Sequence, residues 1–194
     1  MEWLIASVML IIIWMLMIWP SDYIKEEKNK LGKYLYAHRG LHNDEKGIPE
    51  NSLAAFDAAC VAGYGMELDI QFSKDMQIVV FHDDDLKRMC GVDKKVNELT
   101  YEELSQLSLK GTQERIPLFT DVLKLVDSRT PLVVELKTCR KYKELTEETY
   151  KILKSYKGDY CVESFNPMIV RKYSKLDPTV LRGLLMTNYI KFGG

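Results

Sequence analysis

The chain has 194 residues, 46% of them hydrophobic and 28% charged, with a formal net charge of −1. That length and apolar content suit one domain with a full core, and the near-balanced charge, without an arginine-rich, zinc-finger or RNP pattern, excludes a nucleic-acid partner. Cys60, Cys90, Cys139 and Cys161 show no CxxC spacing, which speaks against a zinc site and for reduced, packed thiols in a cytosol-like compartment.

The first predicted element is a transmembrane helix over residues 3–19, an uncharged run from Trp3 to Trp19 rich in Ile, Leu, Met and Trp. At ~1.5 Å per residue it covers ~26 Å, close to the ~30 Å hydrocarbon core, with a tryptophan at each interface. A secretory signal would want a basic start and small residues before a cleavage site, whereas here Glu2 precedes the run and Met17-Ile18-Trp19-Pro20 ends it. Lys25, Lys28, Lys30 and Lys33 follow the run and no basic residue precedes it, so the positive-inside rule places the remainder in the cytoplasm. The expectation is a single-pass membrane protein with a charged linker over 20–33 and one domain over 34–194.

From Tyr34 onward, strand-like and helix-like runs alternate. Tyr34-Leu-Tyr-Ala-His38-Arg39 reads as a strand, and a helix over 52–62 starts behind Asn51 or Ser52 and stops at Gly63. Met66-Glu67-Leu-Asp69 and Ile78-Val-Val-Phe-His82-Asp83 are the next strands. Thr100-Tyr-Glu-Glu103 is a capping box, and Thr120 opens a helix carrying Val122, Leu123, Leu125 and Val126. Leu132-Val-Val-Glu135-Leu-Lys137 and Cys161-Val-Glu-Ser164-Phe165 are strands, Asn166-Pro167 starts a helix, and a last strand lies near Leu181 to Met186. This order predicts a parallel sheet covered by helices. Polar residues after nearly every strand, and His-Arg-Gly-Leu-His where a doubly wound sheet would carry GxGxxG, favour a TIM-type (β/α) barrel. Such a barrel usually needs ~250 residues. Only about six of eight strands can be counted before Gly194, so the barrel reads as truncated, and its open edges predict poor folding and little activity unless the remainder is supplied.

Period-two alternation puts Glu67 and Asp69 on one strand face, and Glu135 and Lys137 on another. In a barrel these faces meet at the interior rim. Three carboxylates gathered there repel one another, and a hard divalent cation with oxygen ligands, Mg²⁺ or Ca²⁺, is the simplest compensation. A lone strand-end histidine is usually a hydrogen-bonded core residue, but His38 and His82 together, with Arg39 beside the first, supply a base, an acid and a guanidinium that forks onto phosphate oxygens.

In order and spacing, His38-Arg39-Gly40, Pro49-Glu50-Asn51-Ser52, Glu67-Leu-Asp69, Val79-Val-Phe-His82-Asp83, Ile116-Pro-Leu, Glu135-Leu-Lys137 and Ser164-Phe-Asn166 resemble the glycerophosphodiester phosphodiesterase family. The resemblance implies metal-dependent hydrolysis of glycerophosphodiesters to glycerol 3-phosphate and an alcohol, with a lyso-lipid as the other candidate substrate. It places the metal acids on Glu67, Asp69 and Glu135, with Glu50 near enough to contribute directly or through water. His38 and His82 take the general acid and base roles, with His82 preferred as the leaving-group acid. Arg39 and Lys137 would neutralise the phosphate, and Asn51 would orient it or the glycerol. In the implied mechanism a glycerol hydroxyl attacks phosphorus and water then opens a cyclic phosphate. Residues 84–115 correspond to the family's small insertion, whose apolar residues are expected to pack among themselves, with a lipid-facing entrance as the other reading. Two alternatives to this function are a catalytically silent membrane-tethered binding module and a phospholipase C-like enzyme acting on intact lipids.

Overall fold

The computed structural model describes residues 5, 7–13 and 25–186. Six strands, β1 (Tyr36–Ala37), β2 (Gly65–Phe72), β3 (Ile78–Val80), β4 (Leu132–Leu136), β5 (Tyr160–Ser164) and β6 (Arg182–Leu184), form one sheet in the order β1-β2-β4-β5-β6, with β3 attached to β2. Every pairing along that path is parallel, as the alternation of strands and helices implies. β2 is buried along its whole length. Met66, Leu68 and Ile70 pack into the main core with Phe56, Phe119, Val122, Leu145, Ile169 and Tyr173, while Glu67, Asp69 and Gln71 alternate onto the opposite face.

β3 departs from the expected parallel arrangement. It runs antiparallel to β2, pairing Ile70 with Val80 and Phe72 with Ile78. Only residues 73–77 join the two strands, and a parallel return needs a crossover of about a dozen residues or more, so a hairpin is the only possible connection. It turns at Ser73, whose hydroxyl accepts from the Gln77 amide at 3.0 Å, and at Met76 with φ 64°.

Three helix starts fall where the sequence places them because their caps are local, at Ser52, Thr100 and Asn166, whereas the helix expected to open at Thr120 begins at Phe119 behind Leu118, with no side-chain cap. α1 (Lys25–Leu31) lies within the charged segment 20–33 and buries Leu31. α2 (Leu53–Ala62) starts at Ser52, whose hydroxyl accepts from the Ala55 amide, and ends at Gly63 with φ 74°. α3 (Lys87–Cys90) and α4 (Tyr101–Leu104) belong to the insertion, and Thr100 and Glu103 cap α4 reciprocally. α5 (Phe119–Val126), α6 (Tyr142–Leu153) and α7 (Pro167–Leu176) cover the sheet, the last opened by Asn166 with Pro167 at its first position. Leu86, Met89, Val96, Leu99, Leu104 and Leu109 of the insertion close on Val79, Phe81 and Ile116 as a second small core. Those side chains are therefore used in packing.

Of the transmembrane span expected at 3–19, the structure describes residues 5 and 7–13, which are helical and exposed. Among the described residues no helix is long and apolar enough to cross a membrane. The rest of that span lies outside the described residues.

Candidate active site

The strand registers decide which side chains meet. β2 and β4 pair Asp69 with Glu135, and Glu67, two residues earlier on β2, points to the same side. One ligand oxygen from each of Glu67, Asp69 and Glu135 falls within 4.8 Å of the others, and all three residues are buried. β1 ends level with Met66, so the next residues, His38 and Arg39, arrive beside Glu67. His38 Nε2 is 3.8 Å from Glu67 Oε2, and the Arg39 amide donates to that oxygen at 3.0 Å. The β2–β3 hairpin delivers His82 from above: the Phe81 amide donates to the Asp69 carbonyl at 2.9 Å, which brings the following residue down to the level of the acids. Gln71 Nε2 holds the segment in place, donating to the carbonyls of Phe81 at 2.8 Å and Asp83 at 2.9 Å.

Two loops complete the pocket through backbone conformations that few side chains tolerate. Arg39 and Asn51 both sit in the left-handed region, with φ 58° and 53°, and the Asn51 amide donates to the Arg39 carbonyl at 2.9 Å. Such a conformation costs a non-glycine residue about 1–2 kcal/mol. Gly40, at φ 80°, approaches α2 so closely that a Cβ would stand 2.9 Å from the Ala55 Cβ. The His-Arg-Gly and Pro-Glu-Asn-Ser runs are thus one locked corner.

Lys137 Nζ bridges the acids, 3.0 Å from Glu135 Oε1 and 3.4 Å from Asp69 Oδ1. Asn51 Nδ2 donates to Asp69 Oδ2 at 3.0 Å. Burial and then the neighbouring charges of Asp69, Glu135 and Glu163 push the Glu67 carboxyl up to about 8, against the pull of the Arg39 amide. Burial disfavours the Lys137 charge, but Asp69 and Glu135 outweigh it and its pKa is raised. His38 is lowered by burial, by Arg39 and by His82. Its side chain is 69% exposed, leaving it open to a substrate. His82 Nδ1 lies 2.7 Å from Asp83 Oδ1. A carboxylate only accepts, so Nδ1 carries the proton and Nε2 is left for chemistry.

Glu50 lies outside the group of three acids. Arg39 Nη1 donates to it at 2.8 Å, and Arg88 donates to both its oxygens at 3.0 and 2.7 Å. Burial opposes its ionisation, yet the two arginines hold it down to about 2. Arg88 also donates to both oxygens of Asp83 at 2.6 and 3.1 Å. One guanidinium from the insertion therefore ties the loop that holds Glu50 to the residue that orients His82. Sequence reasoning missed Arg88 because it lies in irregular chain where no period applies. Gln71 and Glu163 were missed despite a usable signal. Gln71 continues the Glu-x-Asp alternation, and Glu163 pairs in register with Glu135 and has its pKa raised by burial, Glu135 and Asp69.

Arg88→Gln is expected to cost about 1–2 kcal/mol of stability at neutral pH, since the lost bonds join charged groups but Arg88 is 43% exposed. Glu50 has a folded pKa below its unfolded one, so this stability is present above about pH 4.5 and is lost as pH falls through about 2. Urea unfolding of both proteins from pH 7 to 3 should show the difference shrinking toward acid; a constant difference would place the loss elsewhere.

A parallel α/β sheet of TIM-barrel type, with three buried carboxylates that could hold a metal ion converging at the strand ends beside His38, is the frame of a barrel-type hydrolase. The glycerophosphoryl diester phosphodiesterase family model matches residues 38–189, and the chain belongs to that family. It is similar to a glycerophosphodiester phosphodiesterase of Caldanaerobacter subterraneus subsp. tengcongensis, 35% identical over 160 residues that cover 77% of this chain and 65% of that protein. This chain thus spans slightly less than two thirds of that relative's length. Among solved structures it resembles a phosphodiesterase of Oleispira antarctica in complex with the product sn-glycerol-3-phosphate, at 28% identity and TM-score 0.72 over 82% of this chain and 68% of that one. It also resembles the glycerophosphodiester phosphodiesterase of Thermotoga maritima, at 29% identity and TM-score 0.66 over 80% and 63% of the two chains.

Proposed function

We propose that the chain hydrolyses glycerophosphodiesters to sn-glycerol 3-phosphate and an alcohol, with Glu67, Asp69 and Glu135 holding one divalent cation. The observation that carries this reading is the gathering of three buried carboxylate oxygens within 4.8 Å, beside His38 on one segment and His82 on another. The donor set fits such an ion: all three ligands are hard oxygens, and the buried Asn51 Oδ1 has no hydrogen-bond partner among the described residues. The product bound to the Oleispira relative supports a substrate of the same kind here.

The cation would be either Mg²⁺ or Ca²⁺ and would polarise the phosphoryl oxygen, supplying a Lewis acid worth several kcal/mol. The remaining work falls to side chains. Lys137 and Arg39, whose buried Nε lies 3.7 Å from Asp69 Oδ2 but makes no hydrogen bond among the described residues, draw the phosphate against the acids, and Asn51 orients the glycerol. His38, whose pKa is lowered by partial burial and by Arg39, takes a proton from the glycerol hydroxyl as it attacks phosphorus. His82, oriented through Nδ1 by Asp83, gives a proton from Nε2 to the departing alcohol. Water then opens the cyclic phosphate with the roles reversed. Release of glycerol 3-phosphate from glycerophosphoethanolamine, with and without added Mg²⁺ or Ca²⁺, tests the activity; no metal-stimulated product at any ion concentration would refute it.

An ion must displace the proton that Glu67 retains, so its apparent affinity should rise with pH and level off above about pH 8. In the metal-free chain the sign is opposite. An acid whose folded pKa is raised favours folding at low pH, and this contribution fades as pH rises from about 4.5 through about 8. Thermal unfolding with and without Ca²⁺ at pH 6 and pH 8.5 should show the larger stabilisation at pH 8.5; equal shifts would mean that Glu67 is not a ligand.

We also assign residues 3–19 to a membrane anchor that places the domain on the cytoplasmic face. The exposure of Ile5, Val8, Met9, Leu10, Ile11, Ile12 and Ile13 supports an apolar environment for this segment. After carbonate extraction of membranes the full chain should stay in the pellet, and its release into the wash would remove the anchor.

A further inference from the structure

Beside the acid cluster lies a cavity of about 690 Å³. It shares two walls with the site. Lys137 lines it while contacting Asp69 and Glu135 with its ammonium, and Gln71 lines it while holding the carbonyls on either side of His82. A volume of this size accommodates a polyol or headgroup well beyond a single phosphate. The charges around it are one-sided. Lys74, Lys95, Arg140 and Lys141 join Lys137 against the single acid Asp84. Among the described residues, none of the four outer cations has a carboxylate within ion-pair distance; Lys141 Nζ meets only the Met76 sulfur at 3.0 Å. Elsewhere on the surface Lys110, Lys124, Lys151 and Lys172 are each paired with an acid. Basic residues left unpaired around a concave wall raise the local concentration of anions and repel cations.

We propose that this cavity receives the alcohol portion of the substrate and selects alcohols that carry a second anionic group, as a phosphorylated polyol does. The inference rests on the phosphodiesterase reading and extends it to substrate class: His82 reaches the ester bond from the wall held by Gln71, and the leaving alcohol extends toward Lys74, Lys95, Arg140 and Lys141. A choline or ethanolamine headgroup would place its cation among these positive charges, and an uncharged glycerol would gain nothing from them.

The test compares kcat/KM of the full chain for glycerophosphocholine, glycerophosphoglycerol and glycerophosphoinositol 4-phosphate, in the wild type and in a Lys95→Gln, Arg140→Gln double variant. The wild type should prefer the phosphorylated substrate to the choline ester by about tenfold or more, and added salt should shrink the preference. The double variant should lose most of that preference while turning over glycerophosphoglycerol within about twofold of the wild type, as expected when exposed charges outside the reacting centre are removed. Equal rates on the three substrates, a preference that survives the double substitution, or a parallel fall on all three would overturn the proposal. A second measurement needs no catalysis: calorimetric binding of myo-inositol 4-phosphate against myo-inositol. If no ester is cleaved, the phosphodiesterase reading fails, and this arm decides alone. Binding of the phosphate by the wild type but not by the double variant would uphold the anion site, and equal or absent binding would remove it.

Discussion

Asp69→Asn is expected to lower kcat/KM by about 10³-fold or more, equivalent to ~4 kcal/mol of transition-state stabilisation, while the chain still folds. Asp69 is central to the cluster: it accepts from Asn51 and Lys137 and pairs in register with Glu135. The amide removes one charged ligand and leaves the shape nearly unchanged. Without an ion, three acids crowd one buried spot, and the Asp69 charge is, after burial, the largest influence raising Glu67. Neutralising it relieves that repulsion but also removes a charge that faces Lys137 and Arg39, so the metal-free variant should unfold within a few degrees of the metal-free wild type. Activity then collapses without a matching loss of stability, an outcome that simple misfolding does not produce. A variant that keeps full activity would show that Asp69 holds no essential ion.

The second large effect separates the histidines. His82→Ala and His38→Ala should each lower glycerol 3-phosphate release from an alkyl ester by about 10²–10⁴-fold, the usual range for a lost general acid or base. They should differ on a glycerophosphodiester with a p-nitrophenyl leaving group. That alcohol departs as a stable anion and needs no proton, so His82→Ala should recover to within about tenfold of the wild type on it, whereas His38→Ala should stay impaired because the attacking hydroxyl still needs a base. The structure gives the distinction a basis. His82 donates through Nδ1 to Asp83 at 2.7 Å, which leaves Nε2 as the nitrogen that can hand over a proton. His38 is lowered by burial and Arg39, which favours the free base. Recovery of His38→Ala instead would exchange the two roles.

Much of this site was legible because it obeys short-range rules. Alternation put Glu67 and Asp69 on one face, and parallel pairing brought the distant Glu135 beside Asp69, so the three acids could be grouped before any distance was known. Helix boundaries at Ser52, Thr100 and Asn166 were readable because a capping side chain bonds its own first turn. What could not be read depends on contacts between distant loops. The hairpin direction of β3 was implied by its short connection but obscured by the regular alternation of strands and helices around it. The occupation of Glu50 by two arginines requires knowing where residues 84–115 fold back, and Arg88 has no local pattern to mark it. The basic cavity likewise draws Lys74, Lys95 and Arg140 from three separate segments.

The most direct test is a calorimetric titration of Mg²⁺ and of Ca²⁺ into the full chain at pH 8, repeated with Glu67→Gln, Asp69→Asn and Glu135→Gln and compared with glycerol 3-phosphate release at each ion concentration. One ion should bind per chain, weakened by about 10-fold or more in each variant, with product release rising in step with occupancy. Ion binding that none of the three substitutions disturbs, or product release independent of occupancy, would contradict it.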